Sequence, residues 1–124
     1  MTFMTQKQRQ TMIENGKPEN RDKDHVPVIK LFLPGTDFTW LLTELNPEEQ
    51  NIAFGLCDLG MGFPELGYVD LDELAAIRVR NIFRVERDLH FKGEYPISVY
   101  AQAARNNEAI TESTELLQRA LTPN

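Results

Sequence analysis

The chain has 124 residues, of which 41% are hydrophobic and 26% are charged, and its formal net charge is −6. This composition is ordinary for a folded domain and excludes wholesale disorder, because a chain of this length can bury its own core. The negative charge argues against non-specific nucleic-acid binding, which needs a basic surface to neutralise phosphates. Nucleic acid is therefore not expected as a partner, although mild acidity is also explained by solubility alone.

Cys57 is the single cysteine, so no intramolecular disulfide can form, and a reducing compartment fits the sequence best. No apolar run reaches the ~20 residues that span a bilayer. The N-terminal residues MTFMTQKQRQ lack the apolar segment of a signal peptide. The sequence therefore predicts a cytoplasmic protein that does not enter a membrane.

The first predicted element is a helix that starts at Gln6, because Thr5 and Gln8 form a capping-box pattern. Asn15-Gly16 is typical of a helix end. The helix carries few apolar residues, so we expect it to dock weakly, as a lid. Residues 17–25 are almost wholly polar and predict a linker.

Two strands are predicted next, over residues 28–33 and 38–45, joined by a turn at residues 34–37. A period of two places the side chains of the second strand on opposite faces. One face then holds Trp40, Leu42 and Glu44, and the other holds Thr39, Leu41, Thr43 and Leu45. Because both faces carry large apolar groups, we expect helices to cover the sheet on both sides.

Residues 52–58 and 65–69 predict a second pair of strands, with Gly60 and Gly62 in the sharp turn between them. Asp70 is typical of a helix N-cap, so a short helix is expected to follow the fourth strand.

The alternating residues 85–91 predict a fifth strand. Ser98 and Thr111 are the expected N-caps of two C-terminal helices. The fold class predicted is α+β, a mainly antiparallel sheet of four to five strands with an N-terminal helix, one inserted helix and a helical C-terminus. We expect one domain over residues 1–124, with a helix and polar linker (1–25), a core (26–105) and a helical tail (106–124).

Four stretches carry a resemblance to a known family: TWLLTEL (39–45), AFGLCDLG (53–60), GFPELG (62–67) and VERDLHF (85–91). Through them the chain is identified as a member of the family called domain of unknown function 2958. Residues 6–16 and 98–105 resemble that family more loosely, and the chain departs from it after Asn106. The resemblance implies a small bacterial protein of a kind often associated with plasmids and other mobile elements. It implies no activity, because none is established for the family.

Six polar residues make up the main candidate site: Glu44, Asp58, Glu65, Glu86, Asp88 and His90. Carboxylates and a histidine that converge can bind a divalent metal or act as general acid and base. This alternative, a small enzyme, would use Asp58, Glu65, Asp88 and His90. The sequence has no HxxxH, HExxH or DxDxDG spacing, so a structural role in binding loop amides and arginines is favoured. Cys57 is interpreted as a buried structural cysteine, because no neighbouring cation would lower its pKa.

The leading hypothesis is a non-enzymatic accessory protein that acts on other proteins, without a cofactor or a resident metal. It rests on the acidic balance and on the lack of a catalytic motif. The predicted contact face bears Glu44, Glu65, Glu86 and Asp88. The binding candidates are Trp40, Glu44, Glu65, Glu86 and Arg87, although Trp40 is interpreted first as a core residue. The oligomeric state is left open.

Overall fold

The computed structural model describes residues 3–121, which form four helices and one five-stranded antiparallel sheet. In chain order the elements are α1 (Gln6–Asn15), β1 (Ile29–Phe32), β2 (Thr39–Leu45), β3 (Ile52–Asp58), β4 (Glu65–Asp70), α2 (Leu71–Ala76), β5 (Glu86–Arg87), α3 (Ile97–Asn107) and α4 (Thr114–Leu121). The predicted α+β class is confirmed, with its N-terminal, inserted and C-terminal helices. Residues 1–2 of the predicted N-terminal segment and residues 122–124 of the predicted tail lie outside the described residues.

The strand order is β4-β3-β2-β1-β5, so β2 lies at the centre and β4 and β5 form the two edges. One face of the sheet packs with α1 and α2 around a cluster that includes Met12, Trp40 and Leu74. The other face packs with α3 and α4 around a cluster that includes Leu41 and Leu117. We call these the α2 face and the α3 face. The prediction that helices cover both faces is confirmed.

The predicted capping box at the start of α1 is confirmed. Thr5 Oγ1 accepts a hydrogen bond from the Gln8 amide at 3.1 Å, and the Thr5 amide donates to Gln8 Oε1 at 2.8 Å. The helix docks more firmly than predicted, because Met12 is completely buried. In addition, Asn15 Nδ2 donates to the Thr43 carbonyl at 2.9 Å, which fixes the end of the helix to the central strand.

A register shift in β2 changes which side chains share a face. Leu42 is opposite Gly55, but Glu44 is already opposite Phe54, so β2 has one extra residue at this point. Leu45 consequently packs on the α2 face. The strict alternation predicted for residues 39–45 is therefore wrong after Leu42, because an extra residue reverses the order of faces.

The fifth strand is much shorter than predicted, since β5 has only two residues and pairs with β1. The Asp88 carboxylate accepts a hydrogen bond from the His90 amide at 2.8 Å, which turns the chain away from the sheet. Val85 packs on the α2 face, whereas Phe91 packs on the α3 face. The prediction of one strand with one apolar face over residues 85–91 is wrong for this reason.

The C-terminal helices begin at other residues than predicted. Ser98 lies inside α3, and its amide donates to the Asp24 carboxylate at 3.0 Å. Its hydroxyl donates to the other carboxylate oxygen of Asp24. The N-terminus of α3 is thus capped by a residue from the polar linker. At α4, Ser113 Oγ rather than Thr111 accepts a hydrogen bond from the first turn, at 3.3 Å from the Leu116 amide.

Candidate functional site

A groove of about 520 Å³ runs along β4 on the α2 face of the sheet. It lies between the β3–β4 hairpin and α2, and we call it the β4 groove. It is lined by Phe38, Trp40, Cys57, Leu59, Glu65, Leu66, Gly67, Tyr68, Val69, Asp70, Glu73, Leu74 and Ile77.

The floor of the β4 groove follows from the pairing of three strands. Trp40 is opposite Cys57, and Cys57 is opposite Glu65, so their side chains form one row across the α2 face. The next position along β4 on this face is Gly67, since side chains alternate along a strand. A Cβ atom placed on Gly67 would meet no atom of the described residues within 4 Å. The missing side chain leaves the groove open here.

Acidic side chains form the rim of the groove. Glu65 and Glu73 are exposed, and Asp70 is half-buried where it caps α2. None of the ion pairs found within residues 3–121 includes these three carboxylates. Asp70 accepts hydrogen bonds from the Asp72 amide at 2.8 Å and from Asn51 Nδ2 at 3.3 Å. The exposed carboxylates of Glu65 and Glu73 are accessible to a cation, and desolvation by a bound partner would strengthen such a contact.

An apolar patch continues from the groove onto the hairpin. Of the nine exposed large apolar side chains found within residues 3–121, five lie between residues 59 and 68: Leu59, Met61, Phe63, Leu66 and Tyr68. Phe63 and Tyr68 are 76% and 70% exposed. Single exposed apolar groups are ordinary, but several of them within one hairpin are typical of an interaction surface. We call these five residues the hairpin patch.

Burial raises the pKa of the Cys57 thiol to about 11. The group is therefore protonated at neutral pH, which makes it a poor nucleophile. Its Sγ lies 4.0 Å from the carbonyl oxygen of Gly55, as a weak donor. These features fit the interpretation of Cys57 as a structural residue in the floor of the groove.

The raised pKa of Cys57 predicts slow modification of the thiol. At about pH 8 we expect native protein to react with a disulfide reagent about a hundredfold more slowly than urea-unfolded protein, because so little thiolate is present. Since the folded pKa is above the unfolded one, the folded state binds more protons at alkaline pH, and stability falls as pH rises from about 9 to 11. Equal reaction rates in the two states would contradict this.

Glu44 lies on the central strand, opposite Phe54, and does not line the β4 groove. It is only 8% exposed, and it lines a cavity of about 30 Å³ with Arg21 and Tyr68. Burial raises its pKa, while the charges of His25 and Arg21 oppose this shift. The charges of His25 and Arg21 thus partly compensate the negative charge of Glu44.

Asp58 is 3% exposed at the end of β3 and has two backbone partners. Its Oδ1 accepts a hydrogen bond from the Gly60 amide at 2.9 Å, and its Oδ2 accepts one from the Ile110 amide at 2.9 Å. The carboxylate therefore connects the glycine turn to the segment between α3 and α4. It lines a second cavity, of about 390 Å³, with Lys30 and Glu108.

Glu86, Arg87, Asp88 and His90 lie at or beside β5, at the opposite edge of the sheet from Glu65. Four strand spacings separate these edges, which corresponds to about 19 Å. Asp88 is 3.6 Å from Lys30, and Arg87 donates to Gln8 Oε1 at 3.0 Å. The structure therefore does not bring Glu65 together with Asp88 and His90, and Glu65 lies at the opposite edge of the sheet from Glu86 and Asp88 of the hypothesised contact face.

Of the predicted residues, the structure brings only Trp40 and Glu65 together in the groove, with Cys57 between them. Trp40 is 2% exposed and packs edge-on against Phe38, so it supports the floor and offers no stacking face. The sequence did not identify Gly67, Glu73 or the hairpin patch as parts of the site. The signal for the patch was present in the sequence, since residues 59–68 combine large apolar side chains with glycines and a proline.

No group of three or more histidine, cysteine, aspartate or glutamate side chains within residues 3–121 is arranged to hold a metal ion. In the same part of the chain, none of the helices has the length and apolar character needed to cross a membrane.

The fold and the site define a small α+β protein with an open acidic groove at one edge of its sheet. The chain belongs to the family described as Protein of unknown function (DUF2958), whose model matches residues 3–111. The match ends before α4, and it confirms the family that the sequence motifs indicated. Comparison with curated proteins and with solved structures found no match.

Proposed function

We propose that the protein is a non-enzymatic interaction module and that the β4 groove binds a segment of another protein. The segment places an apolar side chain over Gly67 and a lysine or arginine at the acidic rim. The observation that carries this proposal is the open space at Gly67, below carboxylates that have no ion-pair partner in the described residues.

The shape of the site favours a polypeptide over a small molecule. Sites for small ligands enclose most of the ligand, whereas this groove continues into the exposed hairpin patch. Apolar centres with a charged rim are typical of protein interfaces. An enzyme built on Asp58, Glu65, Asp88 and His90 is not proposed, since these side chains do not share a site.

We place this module among the accessory proteins of bacterial mobile elements. The resemblance of its motifs to a family from plasmids and related elements supports this setting. The single cysteine supports a cytoplasmic location, where thiols stay reduced.

A displayed library of random peptides tests the proposal directly. We expect wild-type protein to select peptides that share an apolar residue next to a lysine or arginine. Gly67→Leu should weaken the selected peptide about a hundredfold, because its side chain fills the space that the peptide would occupy. The folded state of Gly67→Leu is verified by circular dichroism.

A pair of charge reversals provides the matched control. Glu73→Lys at the groove should weaken the peptide about tenfold or more, while Glu86→Lys at the opposite edge should have little effect. Both glutamates are exposed, so neither change should disturb the fold. Peptides without a common pattern, or equal binding to the Gly67→Leu protein, would contradict the proposal.

A further inference from the structure

From the free edge of β4 we infer that the bound segment adds to the sheet as a sixth strand, hydrogen-bonded to the backbone of Leu66 and Tyr68. This inference rests on the proposed function, because it specifies how the β4 groove holds its partner. Strand addition places a requirement on the partner that binding in a groove alone does not. The bound segment must be extended, and its backbone amides must not already be hydrogen-bonded within the partner.

β4 is a long strand with one unpaired side. It has six residues and pairs with β3 over its whole length. Among residues 3–121, no strand lies beyond it, since it ends the strand order. Exposed edges are usually blocked by proline, lysine, a bulge or shortness. Residues 66–69 of β4 contain neither proline nor lysine, and their pairing with β3 is regular.

The direction of the peptide groups follows from the register. The Leu71 amide donates to the Asn51 carbonyl at 2.7 Å, just beyond the ladder in which Ile52 is opposite Asp70. In an antiparallel pair, alternate residues direct both backbone groups towards the neighbouring strand. Gly67 and Val69 therefore bond to β3, together with Glu65. The amide and carbonyl groups of Leu66 and Tyr68 face outward.

The side chains around this edge indicate the pattern of the partner. Leu66 and Tyr68 lie on the α3 face, opposite Leu56 and Phe54, and both are exposed. A strand added beside them would place alternate residues on the two faces. Apolar residues would cover Leu66 and Tyr68. The intervening residues would reach the groove, where an apolar one lies over Gly67 and a basic one meets Glu65.

A second copy of this chain fits the edge poorly. Antiparallel pairing of β4 with itself through Leu66 and Tyr68 would place Glu65 of each copy opposite Val69 of the other, and it would bring the acidic rims of both copies to one seam. The like charges of the two rims oppose this pairing. A basic segment from another protein has the complementary charge, so we assign the edge to such a segment.

Amide hydrogen exchange of the free and bound protein tests the inference. In the free protein, the Leu66 and Tyr68 amides should exchange rapidly, while those of Gly67 and Val69 should be protected. Saturation with the peptide selected from the library should slow exchange at Leu66 and Tyr68 by about tenfold or more. Protection of these two amides before binding, or no change after binding, would overturn the inference.

Leu66→Pro provides the matching variant, because it removes an outward amide without removing a ladder bond. It should weaken the selected peptide about tenfold or more, and Leu66→Ala should weaken it less. If Leu66→Pro does not fold, single N-methyl groups placed along the backbone of the selected peptide provide the test instead. They should weaken binding only at alternate positions of the peptide. Uniform small effects would overturn strand addition but leave the groove as the binding site. If the library yields no binders, both proposals are overturned. If the free protein forms a dimer that Leu66→Pro abolishes, the edge of β4 binds a second copy of this chain, and the assignment to another protein is overturned.

Discussion

Gly55→Ala is expected to lower the free energy of unfolding by about 3 kcal/mol or more. Gly55 lies opposite Leu42, where β2 carries its extra residue and its backbone approaches β3. A Cβ atom on residue 55 would lie 2.0 Å from the Leu41 carbonyl oxygen and 2.7 Å from the Leu42 Cα. Both contacts are with backbone at the centre of the sheet, so the strands must separate to make room.

Gly67→Ala is the matched control, because Gly67 is directly opposite Gly55 on the neighbouring strand. Within residues 3–121, nothing lies within 4 Å of a Cβ atom at this position. The change should leave stability unaltered or raise it by up to about 1 kcal/mol, since alanine restricts the unfolded chain. Urea denaturation measures both variants. Equal losses of stability would contradict the register of β2, β3 and β4.

Asp58→Ala should lower the free energy of unfolding by about 3 kcal/mol, because it removes two charge-assisted hydrogen bonds to backbone amides. The amides of Gly60 and Ile110 each lie 2.9 Å from one carboxylate oxygen. Asp58→Asn retains one acceptor and should lose less stability. The same urea denaturation measures these effects.

Asp37→Ala is the control for Asp58, because Asp37 lines the same cavity but is exposed. We expect it to change stability by less than about 0.5 kcal/mol. If the Asp58→Ala protein is as stable as wild type but no longer binds the selected peptide, Asp58 belongs to the binding site.

The sequence predicted the elements that depend on local signals. The capping box at Thr5 and the helix after Asp70 both follow from short-range hydrogen bonds, and both are present. β3 was predicted with its exact bounds, since its apolar run is flanked by a polar loop and a glycine turn. Patterns of this kind are contained within a few residues and need no tertiary information.

Features that depend on distant residues were not predicted. The extra residue in β2 leaves no mark in the alternating letters of residues 39–45, because it is set by pairing with β3. The N-terminus of α3 is capped by Asp24, which is 74 residues away from Ser98. The alternation over residues 85–91 indicated a strand, but Asp88 turns the chain and sends Phe91 to the other face.

The candidate site was predicted only in part, for the same reason. Glu65 and Trp40 were recognised as binding candidates, but the order of the strands decides which acidic residues are neighbours. That order places Glu86 and Asp88 at the far edge. The groove itself depends on an absent side chain at Gly67, and a glycine in a strand does not reveal from sequence alone which face it opens.

The most direct test of the β4 groove as the binding site is a nuclear magnetic resonance titration of the labelled protein with the selected peptide. We expect the largest shifts in the amides of Leu66, Gly67 and Tyr68 and in the indole of Trp40 in the floor of the groove. Shifts centred on residues 86–90, with β4 unchanged, would place the partner at the opposite edge of the sheet and rule out the β4 groove as its binding site.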